Sequence, residues 1–277
     1  MKTPRTIWIA GNWKMNLSPS EVEGFFSEWA GLLNESASQW KGKSGWVAAL
    51  APAALSADRA VQAARNVTVP VRVGAQNVHW EKKGAFTGEV SAPMAKDLGL
   101  SFALVGHSER RQFFGESHEW VQRKIRALLE GGLTPLVCVG ETRAERDAGK
   151  TQAVLEEQLR GALGAPTSEH ARALDGRVVI AYEPVWAIGT GLTATPTQAE
   201  EVHAWIRDFL NREYGAVSAE RTSILYGGSV TPENIEALLS CANIDGVLVG
   251  GASLKPSSYH ALFLAGVRCA EKRTAFV

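Results

Sequence analysis

The fold is indicated first by one stretch of the sequence, Val178-Val179-Ile180-Ala181-Tyr182-Glu183-Pro184-Val185-Trp186-Ala187-Ile188-Gly189-Thr190-Gly191. It opens with an apolar run of β propensity, which ends in a single acid, Glu183, and a proline. An apolar loop with glycines follows. A carboxylate at the carboxyl end of a buried strand, beneath a loop that can cover it, is typical of a general base with a lid. This interpretation requires partner groups at the ends of other strands.

Seven other apolar runs of strand length occur along the chain, with helical patterns between them. The eight predicted strands are Thr6–Gly11, Trp46–Ala51, Val71–Ala75, Phe102–Gly106, Leu133–Val139, Val178–Tyr182, Ser223–Tyr226 and Gly246–Val249. Near-continuous hydrophobic strands separated by helices indicate a parallel sheet buried on both faces. Eight such units without a linker favour a closed barrel over a doubly wound sheet. We predict an α/β fold in which residues 1–277 form a single-domain (β/α)8 barrel, with a peripheral C-terminal tail from about residue 266.

Capping sequences mark where several helices begin. Ser18-Pro19-Ser20-Glu21 and Thr195-Pro196-Thr197-Gln198 each offer an N-cap hydroxyl, a proline at N1 and an acid or amide at N3. We expect Thr231-Pro232-Glu233 to open a helix in the same way, and a long helix to run from about Glu116 to Glu130. The least patterned connections, expected to be surface excursions, are Asn34–Gly45 and Gly164–Gly176.

Composition and charge argue against several classes of protein. Of 277 residues, 45% are hydrophobic and 21% are charged, as in an ordinary soluble globular protein. The 29 basic residues balance 29 acidic ones, so charge gives no reason to expect nucleic acid or a membrane as partner. The first apolar run is too short for a signal peptide, and no run of about 18 apolar residues could span a membrane. Three distant cysteines, Cys138, Cys241 and Cys269, suit a reducing compartment, so we expect a cytoplasmic protein.

Polar residues and glycines directly follow five of the predicted strands. Asn12 and Lys14 come after the first strand, His107 after the fourth and Glu183 after the sixth. Two glycine segments follow the last two strands: Gly227-Gly228-Ser229 and Gly250-Gly251. Alone, each has a structural explanation, such as a solvated lysine, a hydrogen-bonded core histidine or a tight turn. In a barrel, however, the loops after the strands share one rim, where active sites lie. The set therefore indicates an active site.

These groups suit the abstraction of a proton next to a carbonyl group. Glu183 would act as general base, while His107 and Lys14 would stabilise the oxygen of the enediolate that forms. Backbone N–H groups of the two glycine segments could surround a substrate phosphate, at the place where this fold often binds one. Phosphate binding away from the reacting carbons would help to hold the lid shut and exclude water.

We expect neither a metal nor an organic cofactor. The sequence has no Cys-x-x-Cys, and no two histidines are spaced as a pair of ligands on one helix. Gly149-Lys150-Thr151 is similar to the end of a nucleotide-binding loop, but no glycine stands five residues before Gly149. The six histidines are His79, His107, His118, His170, His203 and His260.

Seven ordered motifs at suitable spacing give the sequence a specific resemblance. They are Gly11–Asn16 (GNWKMN), Gly74–Asn77 (GAQN), Gly84–Glu89 (GAFTGE), Gly106–Arg111 (GHSERR), Tyr182–Gly191 (YEPVWAIGTG), Tyr226–Val230 (YGGSV) and Leu248–Leu254 (LVGGASL). With them, the chain resembles the triosephosphate isomerase family over essentially its whole length. The resemblance implies a TIM barrel that interconverts dihydroxyacetone phosphate and D-glyceraldehyde 3-phosphate through an enediolate, in glycolysis and gluconeogenesis.

The resemblance also implies a role for each catalytic residue. Glu183 is the base and neutral His107 is the electrophile and proton shuttle, which is the known pair of this family and not a new assignment. Lys14 supplies a fixed positive charge as electrostatic stabiliser, and Asn12 orients the substrate. Together with Asn12 and Lys14, the residues implied to bind substrate are Gly189, Ser229, Leu248, Gly250 and Gly251. Cys138 is expected to be a packed core residue near the base.

A mobile lid loop and its supports follow from the same resemblance. The residues implied are Trp186, Ile188, Thr190, Tyr226, Ala194, Ser108 and Glu109. Tyr226 is expected to hydrogen-bond Ala194 when the lid closes, and Ser108 to hold Glu183 when it is open. Glu109 is expected to order the region of Lys14. Leu192 stands where many relatives carry a lysine at the second hinge, so the rates of opening could differ.

The resemblance further implies a homodimer in which a partner loop completes each site. In this chain the loop is His79–Glu89, with Thr87 reaching toward Asn12 and Glu109 of the other subunit. The loop could instead be a tight surface turn, although an exposed Phe86 at its tip favours insertion into a partner.

Two other functions are compatible with a phosphate-binding barrel. A Schiff-base aldolase needs a lysine inside a strand, whereas Lys14 lies beyond its strand. A catalytically silent barrel would be favoured by the loss of Lys14, His107 or Glu183, and all three are present. We therefore predict an enzyme, an intramolecular aldose–ketose isomerase that acts on triose phosphates without a cofactor.

Overall fold

Eight strands close into a parallel barrel in the order of the sequence, β1 to β8, and β8 pairs with β1. This computed structural model describes residues 5–165, 176–187 and 193–275. The strands are β1 (Ile7–Asn12), β2 (Trp46–Ala51), β3 (Val71–Ala75), β4 (Phe102–Val105), β5 (Thr134–Val139), β6 (Val179–Tyr182), β7 (Ile224–Tyr226) and β8 (Gly246–Val249). Each predicted strand agrees with an observed one to within one residue at either end. The predicted single-domain (β/α)8 TIM barrel is confirmed.

Helices follow the strands on the outside of the barrel. In the described part of the chain they are α1 (Pro19–Glu35), α2 (Ala37–Trp40), α3 (Ala57–Ala64), α4 (Ala92–Leu98), α5 (Ser108–Phe114), α6 (His118–Glu130), α7 (Arg143–Asp147), α8 (Thr151–Leu163), α9 (Pro196–Tyr214), α10 (Ala216–Arg221), α11 (Ile235–Leu239) and α12 (Pro256–Ala275). Three short 3₁₀ turns are Ala54–Ser56, Val185–Ala187 and Gly251–Ser253. No helix among these is both long enough and apolar enough to cross a membrane.

The strands are largely hydrophobic because both of their faces are buried along most of their length; Arg72 in β3 is an exposed exception. In β1, Trp8 and Ala10 belong to an inner cluster, while Ile7 and Ile9 belong to the larger cluster shared with the helices. Small residues make room for large ones inside the barrel. A Cβ at Gly74 would stand 2.4 Å from the Phe102 ring, so glycine is required for this ring to pack there.

Two of the three proline-containing caps begin helices as predicted. Ser18 and Thr195 each form a capping box at the start of α1 and α9. The prediction for Thr231-Pro232-Glu233 is wrong, because these residues form a turn and α11 begins only at Ile235. The reason is local: Asn234 accepts a hydrogen bond from Thr231 N at 3.0 Å and donates one to Ser229 O at 3.1 Å, which holds the turn.

The connection Asn34–Gly45, expected to be a surface excursion, is mostly exposed, but its first half is helical. Helix α1 continues to Glu35, and α2 carries Trp40, whose buried ring donates from Nε1 to Leu33 O at 2.9 Å. Burial of this large ring outweighs the polar composition around it. Of the second connection, residues 166–175 lie outside the described ranges.

The segment from about residue 266, expected as a peripheral tail, is the second half of helix α12. Val267 and Ala270 in this half are buried in the main core cluster. Gly266 lies against β1, because a Cβ there would stand 2.3 Å from Ile9 Cδ1. Helix α12 therefore packs closely on the barrel along this half.

Candidate active site

The predicted catalytic residues meet at the carboxyl end of the barrel, around a cavity of about 400 Å³. The residues from the prediction that line it are Asn12, Lys14, His107, Glu183, Ser229, Leu248, Gly250 and Gly251. They come from the ends of strands β1, β4, β6, β7 and β8. Since parallel strands in a barrel all end at the same rim, residues more than 200 positions apart in the sequence share one cavity.

Glu183 follows β6 directly and is almost fully buried. Its Oε2 accepts a hydrogen bond from Ser108 N at 3.1 Å, and its Oε1 lies 3.2 Å from His107 Nε2. The Cys138 thiol is also buried, and burial, with the negative charge of Glu183 nearby, raises the pKa of this thiol. A buried, protonated thiol is a packing residue and not a nucleophile.

Two glycines flank the backbone of Glu183. A Cβ at Gly140 would lie 1.7 Å from Glu183 O, and a Cβ at Gly227 would lie 2.8 Å from Glu183 Cγ. The N–H of Gly227 donates to Tyr182 O at 2.7 Å, so it is used by the sheet and is not free for a substrate phosphate. The backbone at Glu183 is therefore packed closely between Gly140 and Gly227.

His107 is the N-cap of helix α5 and is buried. Its Nδ1 accepts a hydrogen bond from Glu109 N at 3.2 Å, so Nδ1 carries no proton. A neutral imidazole with this bond has its hydrogen on Nε2. Because Nε2 faces the cavity and Glu183, the histidine presents an uncharged hydrogen-bond donor to any molecule bound there.

Lys14 is held in an uncommon backbone conformation, with φ at 51°. Its N–H donates to Asn12 Oδ1 at 3.0 Å, and its carbonyl accepts from Gln76 Nε2 at 2.8 Å. The ammonium group forms an ion pair with Glu109 Oε1 at 2.5 Å. Sequence reasoning assigned no role to Gln76, although it lies in one of the seven motifs and directly follows strand β3.

The two glycine segments offer backbone N–H groups to the cavity. In the described ranges, the N–H groups of Ser229, Gly250 and Gly251 form no hydrogen bond. Gly228 has a packing reason as well, because a Cβ there would lie 2.3 Å from the Tyr226 hydroxyl. Unpaired N–H groups beside the positive charge of Lys14 are suited to an anion.

A buried carboxylate that sequence reasoning missed, Glu141, organises the chain just after Glu183. Its Oε1 accepts from Tyr182 Oη, Trp186 Nε1 and Arg146 Nη1, each at 3.1 Å. The Arg146 guanidinium also covers the Trp186 ring, 4.7 Å from its centroid. Burial, with Glu141 alongside, raises the pKa of Tyr182, so this hydroxyl stays a donor. The signal was available, because Glu141 is an acid just beyond predicted strand five.

The predicted lid falls partly outside the described residues. Ile188, Gly189, Thr190 and the hinge position Leu192 are not among them. Ala194, which is described, donates from its N–H to the Tyr226 hydroxyl at 3.3 Å. This is the pair expected when the lid is closed, and in this structure it is present together with the Ser108–Glu183 hydrogen bond expected when the lid is open.

The loop His79–Glu89 lies at the surface and does not line the cavity that contains Glu183, although Gly88 and Glu89 line a neighbouring one. Phe86 is 43% exposed and its ring lies 4.3 Å from that of His79; Thr87 is exposed as well. A second cavity, of about 830 Å³, opens beside Asn12 and Glu109. Its wall includes Met15, Met94 and Phe114, which are largely exposed.

No group of three or more His, Cys, Asp or Glu side chains that could hold a metal ion occurs in residues 5–165, 176–187 and 193–275. The three cysteines are free thiols.

Comparisons with known proteins agree with this geometry. A family model described as triosephosphate isomerase matches residues 7–266. The triosephosphate isomerases of Solibacter usitatus and Thermus thermophilus are each 46% identical to the chain, and the alignments cover 91% and 93% of it and 96% and 98% of the relatives. A solved triosephosphate isomerase, from Bartonella henselae, has a TM-score of 0.79 at 35% identity and is matched over 94% of this chain and 98% of that one. The chain therefore belongs to the triosephosphate isomerase family of aldose–ketose isomerases.

Proposed function

We propose that the chain interconverts dihydroxyacetone phosphate and D-glyceraldehyde 3-phosphate, with Glu183 as base, His107 as electrophile and proton shuttle, and Lys14 as electrostatic stabiliser. The observation that carries the proposal is the approach of a buried carboxylate and a neutral imidazole donor, 3.2 Å apart, at one cavity. This reaction is a step of glycolysis and gluconeogenesis. Free thiols suit the reducing cytoplasm, where we expect the enzyme to act.

The proton transfers follow from the two groups. The Glu183 carboxylate takes a proton from the carbon next to the carbonyl and returns it to the neighbouring carbon. The His107 Nε2–H donates to the carbonyl oxygen as negative charge develops there and passes protons between the two oxygens. Lys14 stabilises the enediolate between these steps, while Asn12, whose side chain holds the Lys14 backbone, orients the substrate.

The substrate phosphate binds at the glycine segments in this proposal. The unpaired N–H groups of Ser229, Gly250 and Gly251 would surround the dianion, together with Gly189 from the lid, and Leu248 would form the wall of the cavity. Binding energy from the phosphate keeps the lid closed during the reaction. A closed lid excludes water, which protects the enediolate from losing its phosphate.

Movement of the base completes the cycle. The Ser108 N–H donates to Glu183 Oε2, which supports the role of Ser108 as the holder of an open, resting carboxylate. Closure of the lid would turn the carboxylate toward the substrate. In this proposal the closing residues are Trp186, Ile188 and Thr190, and the Tyr226–Ala194 hydrogen bond holds the end of the lid.

The test is isomerisation of glyceraldehyde 3-phosphate in a coupled assay with no added metal. Glu183→Gln keeps the shape of the side chain and removes the base, so kcat should fall by about 10² to 10⁴. Glu23→Gln, on the exposed face of α1, is the matched control and should leave kcat unchanged. Full turnover by Glu183→Gln, or none by the unmodified chain, would refute the proposal.

We also propose that the enzyme is a homodimer. Two features support this. The loop tip at Phe86 and Thr87 projects from the surface, and a cavity of about 830 Å³ opens next to the active site, beside Asn12 and Glu109. In the proposed dimer the tip of one subunit enters this cavity of the other. Light scattering should give a mass twice that of the 29.8 kDa chain. A mass of one chain at micromolar concentration, with full activity, would contradict the dimer.

A further inference from the structure

Gln158 on helix α8 makes a paired contact with the backbone next to the base. Its Oε1 accepts from Gly140 N at 2.7 Å, and its Nε2 donates to Gly140 O at 2.9 Å. The side chain is buried, with 9% exposure. The amide therefore binds a single residue as a neighbouring peptide group would.

Gly140 in turn determines where the chain at Glu183 can lie. Glu183 N donates to Val139 O at 2.7 Å and Val185 N donates to Glu141 O at 3.1 Å, so the residues after β6 pair with those on both sides of Gly140. Gly140 itself is so close that a Cβ would stand 1.7 Å from Glu183 O. A shift of Gly140 would thus move the base and the start of the lid.

Among the described residues, no strand pairs with Gly140 on its other side. Successive residues of a strand direct their N–H and C=O groups to opposite neighbours, so Gly140 turns toward β4, while Val139 and Glu141 turn toward β6. Strand β4 has already ended at Val105, which pairs with Val137, and helix α5 begins at Ser108. The Gln158 amide occupies the place of the missing strand.

We propose that Gln158 is a positioning residue for the reaction, because its amide completes the sheet at Gly140 and so fixes the backbone that carries Glu183 and begins the lid. The proposal rests on the proposed role of Glu183 as base. Only a planar side chain with one donor and one acceptor can make both bonds, and glutamine provides them at this length.

The decisive variant is Gln158→Glu. A carboxylate can still accept the hydrogen bond from Gly140 N, but its second oxygen faces Gly140 O, and two acceptors repel each other. We therefore expect kcat to fall by about 10- to 100-fold at pH 8. A protonated carboxyl can donate to Gly140 O again, and burial favours this neutral form. The ratio of variant to unmodified kcat should therefore rise as the pH is lowered from about 8.5 to about 6. Gln158→Met, which forms neither bond, should lose activity equally at every pH.

Substrate binding provides the second readout. The phosphate site at Ser229, Gly250 and Gly251 lies on other strands, so the inhibition constant of inorganic phosphate and KM should change by less than about twofold. Gln152→Glu, an exposed glutamine on the same helix, is the matched control and should behave as the unmodified enzyme. Circular dichroism and thermal unfolding check that each variant is folded. If a Gln158 variant does not fold, Gln158→Asn, whose amide is one methylene shorter, takes its place, and its kcat should also fall by about 10- to 100-fold.

Three results would overturn the proposal: folded Gln158 variants with kcat within about twofold of the unmodified enzyme, a pH-independent loss in Gln158→Glu, or an equal loss of phosphate affinity. The Glu183→Gln variant separates this failure from that of the proposed function. If it is inactive while the Gln158 variants are fully active, only the positioning role is refuted; if it is active, the base assignment itself fails.

Discussion

Gly227→Ala should displace the carboxylate of Glu183, the proposed base, without removing any of the proposed catalytic groups. Gly227 has a φ that alanine accepts, so the effect of the substitution is steric. The new Cβ would stand 2.8 Å from Glu183 Cγ and 3.2 Å from Tyr182 O. Carbon atoms in contact prefer about 3.5–4.0 Å, so the side chain of Glu183 must retreat by roughly 1 Å.

That displacement can be converted into a rate. A misplacement of about 1 Å in an active site costs about 10²-fold, which is about 2.7 kcal/mol of activation free energy at 1.36 kcal/mol for each factor of ten. Overpacking should also lower the free energy of unfolding by about 1–3 kcal/mol. We therefore expect kcat to fall about 100-fold in a protein that is folded but less stable.

The measurement is kcat for glyceraldehyde 3-phosphate beside a denaturant unfolding curve. Gly24→Ala is the control, because a Cβ at Gly24 in the exposed face of α1 meets nothing within 4 Å. It should leave kcat unchanged and stabilise the protein by up to about 1 kcal/mol. A folded Gly227→Ala enzyme with kcat within about threefold of the unmodified value would refute the steric argument.

Three further outcomes are expected. Tyr226→Phe removes the acceptor for Ala194 N–H, a bond worth about 0.5–1.5 kcal/mol, so kcat should fall about 2- to 12-fold, and an unchanged kcat would argue against the latch. Burial lowers the pKa of His203, so below about pH 6.5 the unfolded chain takes up a proton that the folded chain does not. The midpoint of denaturant unfolding should therefore fall as the pH drops below about 6.5. In His203→Gln this fall should be less steep. Lys124→Met breaks a buried ion pair and should cost about 3 kcal/mol in denaturant unfolding, whereas Lys43→Met, at an exposed pair, should cost less than about 1 kcal/mol; equal costs would contradict the role of burial.

The barrel was predictable because nearly all of its strands are apolar runs; Arg72 in β3 is an exception. A polar residue such as Glu183 marks the point where a buried strand ends at the rim. The turn at Thr231 was not predictable from the capping pattern, because the Asn234 side chain also binds Ser229 O, a contact that this pattern does not include. Trp40 shows the opposite case, in which burial produced a helix within a polar stretch.

The residues that line the candidate active site were predictable because each stands at or just after the end of a strand, where topology alone fixes the neighbourhood. The residues that contact them from elsewhere in the chain were harder to find. Gln158 lies in the middle of helix α8, in a pattern typical of any solvated helix, and its target is a backbone group that carries no sequence signal. Gln76 and Glu141 do follow strands, yet their partners are main-chain atoms, aromatic side chains or Arg146, which only the folded chain brings together.

If Lys14 binds substrate as proposed, its left-handed backbone links the stability of the free enzyme to its affinity for substrate. Hydrogen bonds through Asn12 and Gln76 impose this sparsely populated conformation before any substrate arrives. The entropy that is lost when the Lys14 backbone is ordered is therefore lost during folding. It does not reduce the free energy of substrate binding. Substitutions that relax this backbone would be expected to yield a more robust protein and a poorer binder, so selection for turnover sets an upper limit on how stable this corner of the barrel becomes.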